Sequence, residues 1–313
     1  MKTVQATAPG KVILFGEHAV VYGRPAIAVP VLDVQTQVSL EPAAAAQGIR
    51  MIAVDLDRDF DLAVADPDDP LALIVHLTLA HLGQTKVPDI TLTITSTIPL
   101  GRGLGSGAAV STAIGRALAA FFERAIPPAQ ISALVYEVEK HHHGTPSGID
   151  NTVVAFAQPV YFIKGRPIKR IQVGQPFTLV VGDTGQVAPT HTVVGDVRRR
   201  WQADRERYEG YFDEIGAIVQ QARVAIEEGL TGPEAIGKLM NDNQELLETI
   251  GVSSPELDHL VAAARQAGAL GAKLSGAGGG GNMIALARPD HASDIARALW
   301  EAGATGVIVT EVR

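Results

Sequence analysis

The sequence predicts an α+β protein built from two domains. Three observations carry that expectation. The chain has 313 residues, 46% of them hydrophobic and 19% charged, which is more core than one domain usually encloses. Strand-type alternation and helix-type periodicity both occur in each half. Between the strand-like PVYFIK at 159–164 and the strand-like FTLVVGDTG lies a basic, glycine-containing stretch, KGRPIKRIQVGQP, of the kind that connects domains. This places the boundary near residue 172, giving domains over 1–172 and 173–313.

The first forty residues contain three strand-like runs, VQATA, KVILFG and AIAVPVLDVQTQVSL. The last alternates Val34, Thr36 and Val38 against Gln35, Gln37 and Ser39, the pattern of a half-buried strand. Residues 70–82 are predicted helical, 87–98 a further strand, and 106–124 a helix that begins inside a glycine-rich loop. Pro127 and Pro128 open another helix. In it Ile131, Leu134, Val135 and Val138 fall at i, i+3, i+4 and i+7, a single apolar stripe that ends near His143-Gly144. The second half predicts helices over 194–228, 233–248 and 255–268, then strands at NMIALA and GVIVTEV flanking a helix.

Composition narrows the function classes. A net charge of −8 argues against nucleic-acid binding as the main role, and the Arg198-Arg199-Arg200 triplet is expected to be a solvated helix face. Without a single cysteine, neither disulfides nor thiolate chemistry is open to the chain. The N-terminal MKTVQATAPGK has no apolar core of a signal sequence, and no run of 18 apolar residues follows, so a cytoplasmic location is expected.

Four clusters could do chemistry. APGKVILFGEHAVVYG (8–23) brings Lys11, Glu17 and His18 into one strand-turn region. PLGRGLGSGAA (99–109) puts four glycines in the seven positions from Gly101 to Gly107, directly before a helix. Such a loop is either a flexible turn or an anion cradle, because glycine lets a ligand approach the backbone and a helix start offers free N–H groups. It fits neither GxGxxG, since Ser106 occupies the third glycine position, nor GxxxxGK[ST]. GPEAIGKL at 232–239 comes near the latter, but Leu239 has no hydroxyl for Mg²⁺, and the segment is an ordinary helix start. EKHHHGTPSGID (139–150) ends a helix and delivers Asp150 from a Pro-Ser-Gly turn. KLSGAGGGGNMIAL (273–286) is a second glycine-rich turn ahead of a strand. Three consecutive histidines on a helix point about 100° apart and cannot converge on one metal ion; His141 to His143 are instead expected to cap the helix end. His76, His81, His191, His259 and His291 stand alone and are taken as structural.

In this order and at these intervals, PGKVILFGEHAVVYG, PLGRGLGS, HGTPSGID and KLSGAGGGG resemble the motifs of the GHMP kinases. Galactokinases carry a Gly-Glu-His-Thr-Asp version of the first motif, and phosphomevalonate kinases tend to have Glu-Tyr where this chain has Glu17-His18. GEHAVVYG together with HGTPSGID is therefore most similar to the branch whose acceptor is mevalonate. The resemblance runs from Lys11 to the final strands. It implies an N-terminal domain like domain 2 of ribosomal protein S5 and a ferredoxin-like C-terminal domain.

The resemblance also implies roles. Pro99, Gly101, Gly103, Leu104, Gly105, Ser106, Gly107 and Ala108 would wrap the phosphates of ATP, aided by the dipole of the following helix. Asp150 matches the catalytic aspartate that takes the proton of the C5 hydroxyl, and Lys11 the lysine that keeps it ionised and stabilises developing charge. Glu139, which could otherwise be a solvated helix residue, matches the Mg²⁺ ligand. Glu17, His18, Thr184 and Gly276 would belong to the mevalonate site with Lys11 and Asp150. One departure matters: relatives usually read GLGSSA where this chain reads GLGSGA, so the Mg²⁺ serine is missing at Gly107. Ser106, Ser111 or water would replace it, and Glu139 with phosphates and water is expected to suffice. A second departure, Asn282 in place of cysteine or aspartate, carries no assigned role. The family often forms homodimers, and one is expected here. A sister kinase acting on a related acid or a sugar, or a non-catalytic ligand sensor, are the alternatives; retention of Lys11, Glu139 and Asp150 together argues against the sensor.

Overall fold

The computed structural model describes residues 3–143, 146–187, 189–229 and 232–313, without the side chains of His142 and His143. It is α+β, with helices and two sheets as expected. Gly144 and Thr145 of the HGTPSGID motif, and the side chains of two of the three consecutive histidines, lie outside the described residues.

Two compact units divide the chain discontinuously. The first comprises Met1–Gly10, Val34–Leu100 and Leu104–Ala157, the second Lys11–Asp33, Gly101–Gly103 and Gln158–Arg313. VQATA and KVILFG prove to be one strand, β1 (Val4–Phe15), because the backbone stays extended through buried Pro9 and Gly10. Strand β2 (Ala26–Pro42) is likewise continuous through both units.

In the first unit the outer half of β2 pairs antiparallel with β5 (Ile90–Ser96), Val38 opposite Ile94. Two strands that the sequence pattern did not reveal, β3 (Ile49–Ala53) and β4 (Arg58–Asp61), extend this sheet; β3 runs parallel to β5 and β4 closes the edge. Val34, Thr36 and Val38 are buried and their alternates are not, as the periodicity requires. Helices α1 (Pro70–His81), α2 (Ser106–Phe121), α3 (Pro128–His143) and α4 (Ile149–Phe156) pack on one another. Asp69 caps α1, accepting from the Leu71 and Ala72 amides, and Pro70 starts it where a missing N–H costs nothing. Ile131, Val135 and Val138 of α3 are buried and Leu134 is half-buried, so the predicted stripe faces the core.

The second unit carries β6 (Val160–Phe162) beside the first residues of β2, with β7 (Lys169–Arg170) outside it. It also holds a four-stranded antiparallel sheet in the order β11 (Gly306–Val312), β8 (Phe177–Asp183), β10 (Asn282–Ala287), β9 (Gly271–Ser275). The expected helix over 194–228 is two, α5 (Thr190–Ala203) and α6 (Arg205–Glu228). Asp204 leaves helical geometry at φ −143° and caps α6 through the Arg207 amide. Helices α7 (Gly232–Thr249) and α8 (Pro255–Gln266) cover β9 and β10, and α9 (Ala292–Glu301) covers β8 and β11. The arginine triplet is exposed as expected, but Arg200 also donates to the carbonyls of Ile250 and Gly251 just past the C-terminus of α7. A cation there satisfies carbonyls that the helix leaves unpaired. No helix among the described residues is long and apolar enough to cross a membrane.

Candidate active site

The glycine-rich loop leads into the start of α2. Gly103 and Gly105 both have positive φ, 76° and 75°, so the chain turns in conformations closed to most side chains. Leu104, 1% exposed, pins the loop between them. Gly105 is the N-cap and offers no side chain, so the first N–H groups of α2 have no side-chain cap. A helix start left without a side-chain cap offers N–H groups to an anion.

Glu139 comes from the last turns of α3, half-buried. A Cβ built on Gly107 would stand 3.6 Å from Glu139 Oε1, so the position without a hydroxyl faces the carboxylate directly. One carboxylate beside an uncapped helix start is a donor set that suits Mg²⁺, which keeps several waters and takes few protein oxygens. Ser106 is half-buried at the head of the same helix, whereas Ser111 is buried, 4% exposed, one turn further in from Gly107. No group of three His, Asp or Glu side chains that could hold a metal occurs among the described residues, and His141 lies exposed, 3.9 Å from Asp68.

Asp150 lies in the first turn of α4, a helix the sequence pattern did not reveal. Gly148, with φ 87°, turns the chain into that helix, and Asn151 fastens it to α3 by donating to the Ser132 carbonyl at 3.0 Å and the Ser132 hydroxyl at 2.9 Å. Arg116 of α2 donates to the Ala155 carbonyl at 2.9 Å and holds the other end.

In the second unit, Lys11, Glu17 and His18 sit on and just after β1, each nearly or fully buried. His18 occupies φ 59°, an unusual backbone for a residue with a Cβ. Its Nε2–H donates to the Ala277 carbonyl at 2.8 Å, which fixes the tautomer and leaves Nδ1 as the acceptor. Burial pulls the imidazole down to about 4, against the opposing effect of that hydrogen bond, so His18 is neutral near pH 7. Ser275 ties the same segments together: its hydroxyl accepts from the Ile13 amide at 3.1 Å and donates to the Ile13 carbonyl at 2.9 Å. Gly276, φ 97°, begins the glycine run between them.

Glu17 is not a rim residue. Its side chain has no exposure and is ion-paired with Lys273 of β9, which is equally inaccessible and also donates to the Leu274 carbonyl at 2.7 Å. Burial pushes the Glu17 carboxyl up and the Lys273 ammonium down, and their mutual attraction opposes both shifts. Lys11 adds a further attraction for the Glu17 carboxylate. Lys273 carries no role in the motif reading, although a lysine inside the apolar strand GAKLS is a visible signal that a buried partner exists. Thr184 is buried in the turn after β8, where its hydroxyl donates to the Gly281 carbonyl at 2.9 Å. A cleft of about 250 Å³ opens beside Thr184, bounded by Pro255, His259 and Gly303; a cleft of about 620 Å³ at Gln47, Arg50, Asp59 and Phe60 contains none of the motif residues.

Known proteins resemble this arrangement. Residues 71–158 match the GHMP kinases N terminal domain and residues 222–305 the GHMP kinases C terminal. A mevalonate kinase of Thermococcus sibiricus is 37% identical over 97% of this chain and 95% of its own length, and one of Pyrococcus abyssi is 38% identical over 98% and 95%. Among solved structures, the L. major mevalonate kinase in complex with R-mevalonate is 31% identical, with a TM-score of 0.84 over 99% of this chain and 95% of that one. The Methanococcus jannaschii mevalonate kinase reaches 0.85 at 26% identity, covering 99% of this chain and 98% of that one. With this likeness sustained over nearly the full length of each relative, the chain belongs to the mevalonate kinases of the GHMP kinase family.

Proposed function

We propose that the protein transfers the γ-phosphoryl group of ATP to the C5 hydroxyl of mevalonate, giving 5-phosphomevalonate and ADP. The observation that carries this reading is the start of α2, where uncapped N–H groups follow a glycine loop and Gly107 faces the Glu139 carboxylate. Phosphoryl transfer asks the protein chiefly to place the acceptor in line and to neutralise charge on the transferred oxygens. The α2 amides and the loop 99–108 do the second of these for the bound nucleotide.

Asp150 accepts the hydroxyl proton as oxygen attacks phosphorus, and Lys11 stabilises the charge that develops. Glu139, with phosphate oxygens and water, would hold Mg²⁺, which when bound neutralises phosphate charge. His18, Thr184 and Gly276 contact the acceptor. Glu17 shapes that site from behind, through its pairing with Lys273. The identity of the acceptor is supported by relatives named mevalonate kinase over nearly their full length and by one solved with R-mevalonate.

The functional division is 1–172 and 173–313, supported by the two matched family domains falling on either side of it. We place the protein in the cytoplasm as a homodimer, which light scattering of the purified chain checks. The deciding experiment is a coupled ADP-release assay with Mg-ATP against mevalonate, phosphomevalonate, homoserine and galactose. Turnover with mevalonate alone, and NMR placing phosphate on the C5 oxygen, is expected; turnover on another member of the panel overturns the acceptor, and none at all overturns the kinase.

A further inference from the structure

Arg102 stands at the tip of the glycine loop, between Gly101 at φ 68° and Gly103 at φ 76°. A guanidinium in such a place would ordinarily extend into solvent, but this one is only 25% exposed. Its Nε lies 3.3 Å from Asp183 Oδ2, an ion pair at the end of β8. The other oxygen of Asp183 accepts from the Gly185 amide at 2.8 Å, so the carboxylate is held by the turn behind it. Asn282, the first residue of β10, lies opposite Asp183 in the sheet register and donates from Nδ2 to the carbonyl of Arg102. Two neighbouring strand ends thus grip one loop residue, one by its side chain and the other by its backbone.

The grip carries an electrostatic cost. Arg102 Nη1 and Asn282 Oδ1 are both buried without a hydrogen-bonding partner among the described residues. A chain that only needed to end a loop would not hold an arginine there in a desolvated position. What the loop itself needs is order. Glycine loses more conformational freedom than any other residue on being fixed, and four of them occur in seven positions from Gly101 to Gly107. Any ligand bound by the amides of such a loop must overcome that entropy unless the loop is already fixed.

We propose that Arg102, Asp183 and Asn282 form a latch that pre-orders the phosphate loop, making Arg102 and Asn282 positioning residues for the nucleotide. The proposal rests on the kinase reading above and gives Asn282 a role. Because Asp183 neutralises the guanidinium, Arg102 acts through the loop backbone and not as a ligand of phosphate.

The test combines steady-state kinetics of Arg102→Ala, Asn282→Ala and Asp183→Asn with amide hydrogen exchange of the peptide spanning 99–108 in the nucleotide-free protein. Each variant is expected to raise KM for ATP about tenfold, the equivalent of one lost anchoring interaction, while kcat and KM for mevalonate move far less. Loop amides exchange faster in all three, Arg102→Lys recovers part of the loss, and the Arg102→Ala/Asn282→Ala double variant is less than additive. Unchanged loop exchange or unchanged KM for ATP overturns the latch. A lower KM for ATP in Asp183→Asn also overturns it, since releasing a phosphate-binding guanidinium would tighten nucleotide. If the wild type releases no ADP with mevalonate, the kinase reading fails, and loop exchange still decides the latch.

Discussion

Lys273 and Glu17 form an ion pair from which solvent is wholly excluded, neither side chain showing any exposure. The pair joins β9 to the turn after β1, the same two segments that His18 and Ser275 join by hydrogen bonds. Removing one partner leaves the other charge buried and uncompensated, which typically costs about 3–5 kcal/mol. Lys273→Met is therefore expected to lower the urea midpoint severely, and Lys273→Met combined with Glu17→Leu to recover most of the loss. Equal destabilisation by the single and the double variant would show that packing, not charge, decides this position.

His18 makes stability depend on pH. Its folded-state value of about 4 lies below the ordinary 6.5. Above pH 6.5 neither state protonates it; between 6.5 and 4 the unfolded chain takes up a proton that the folded one refuses, so stability falls as pH falls, and below 4 the loss is complete. The full difference is about 3 kcal/mol from this residue. Urea unfolding at pH 4, 5, 6 and 7 measures the slope, and His18→Gln is expected to flatten it.

Asp150→Asn keeps the shape of the side chain and removes the base. A drop in kcat of about 10²–10⁴ is expected, with binding of a fluorescent ATP analogue nearly unchanged. Loss of nucleotide binding in step with kcat would assign Asp150 to the nucleotide site instead.

Gly107→Ser restores a hydroxyl opposite Glu139. The Cβ position is 3.6 Å from the carboxylate oxygen and φ at Gly107 is not in the left-handed region, so the serine fits without strain. An added oxygen ligand is expected to lower the Mg²⁺ concentration for half-maximal activity about threefold or more. Ser106→Ala is expected to keep its Mg²⁺-dependent activity; loss with ATP affinity intact would make Ser106 the ligand that replaces the missing serine.

Gly16 precedes Glu17 at φ 97°, and a Cβ there would lie 2.5 Å from the Pro25 carbonyl oxygen. Both the backbone and the space forbid a side chain, so Gly16→Ala is expected to cost upwards of about 3 kcal/mol, read as a shift in thermal midpoint or as insoluble expression.

Much of this molecule was legible along the chain because its signals are local. Helix α3 followed from its apolar stripe and the prolines at its start, helices α1, α2, α7 and α8 were expected close to their observed bounds, and β5, β8, β10 and β11 were expected as strands. The break at Asp204 escaped notice because the apolar spacing continues across it, and the change of direction is set by a cap. Strands β3, β4 and β9 and helix α4 are short, and a five-residue run such as GAKLS has no period long enough to distinguish.

The sequence by itself determined most of the elements, the absence of thiol chemistry and, through four spaced motifs, the family and its chemistry. Those properties rest on near neighbours in the chain: a glycine that permits a turn, a proline that starts a helix, a carboxylate four residues after a turn proline. Only the tertiary structure decided that Glu17 is held by Lys273, 256 positions away, that His18 is neutral, and that Arg102 is held by Asp183 and Asn282. Charge state and anchoring depend on which distant groups share a desolvated space, and folding alone creates that space.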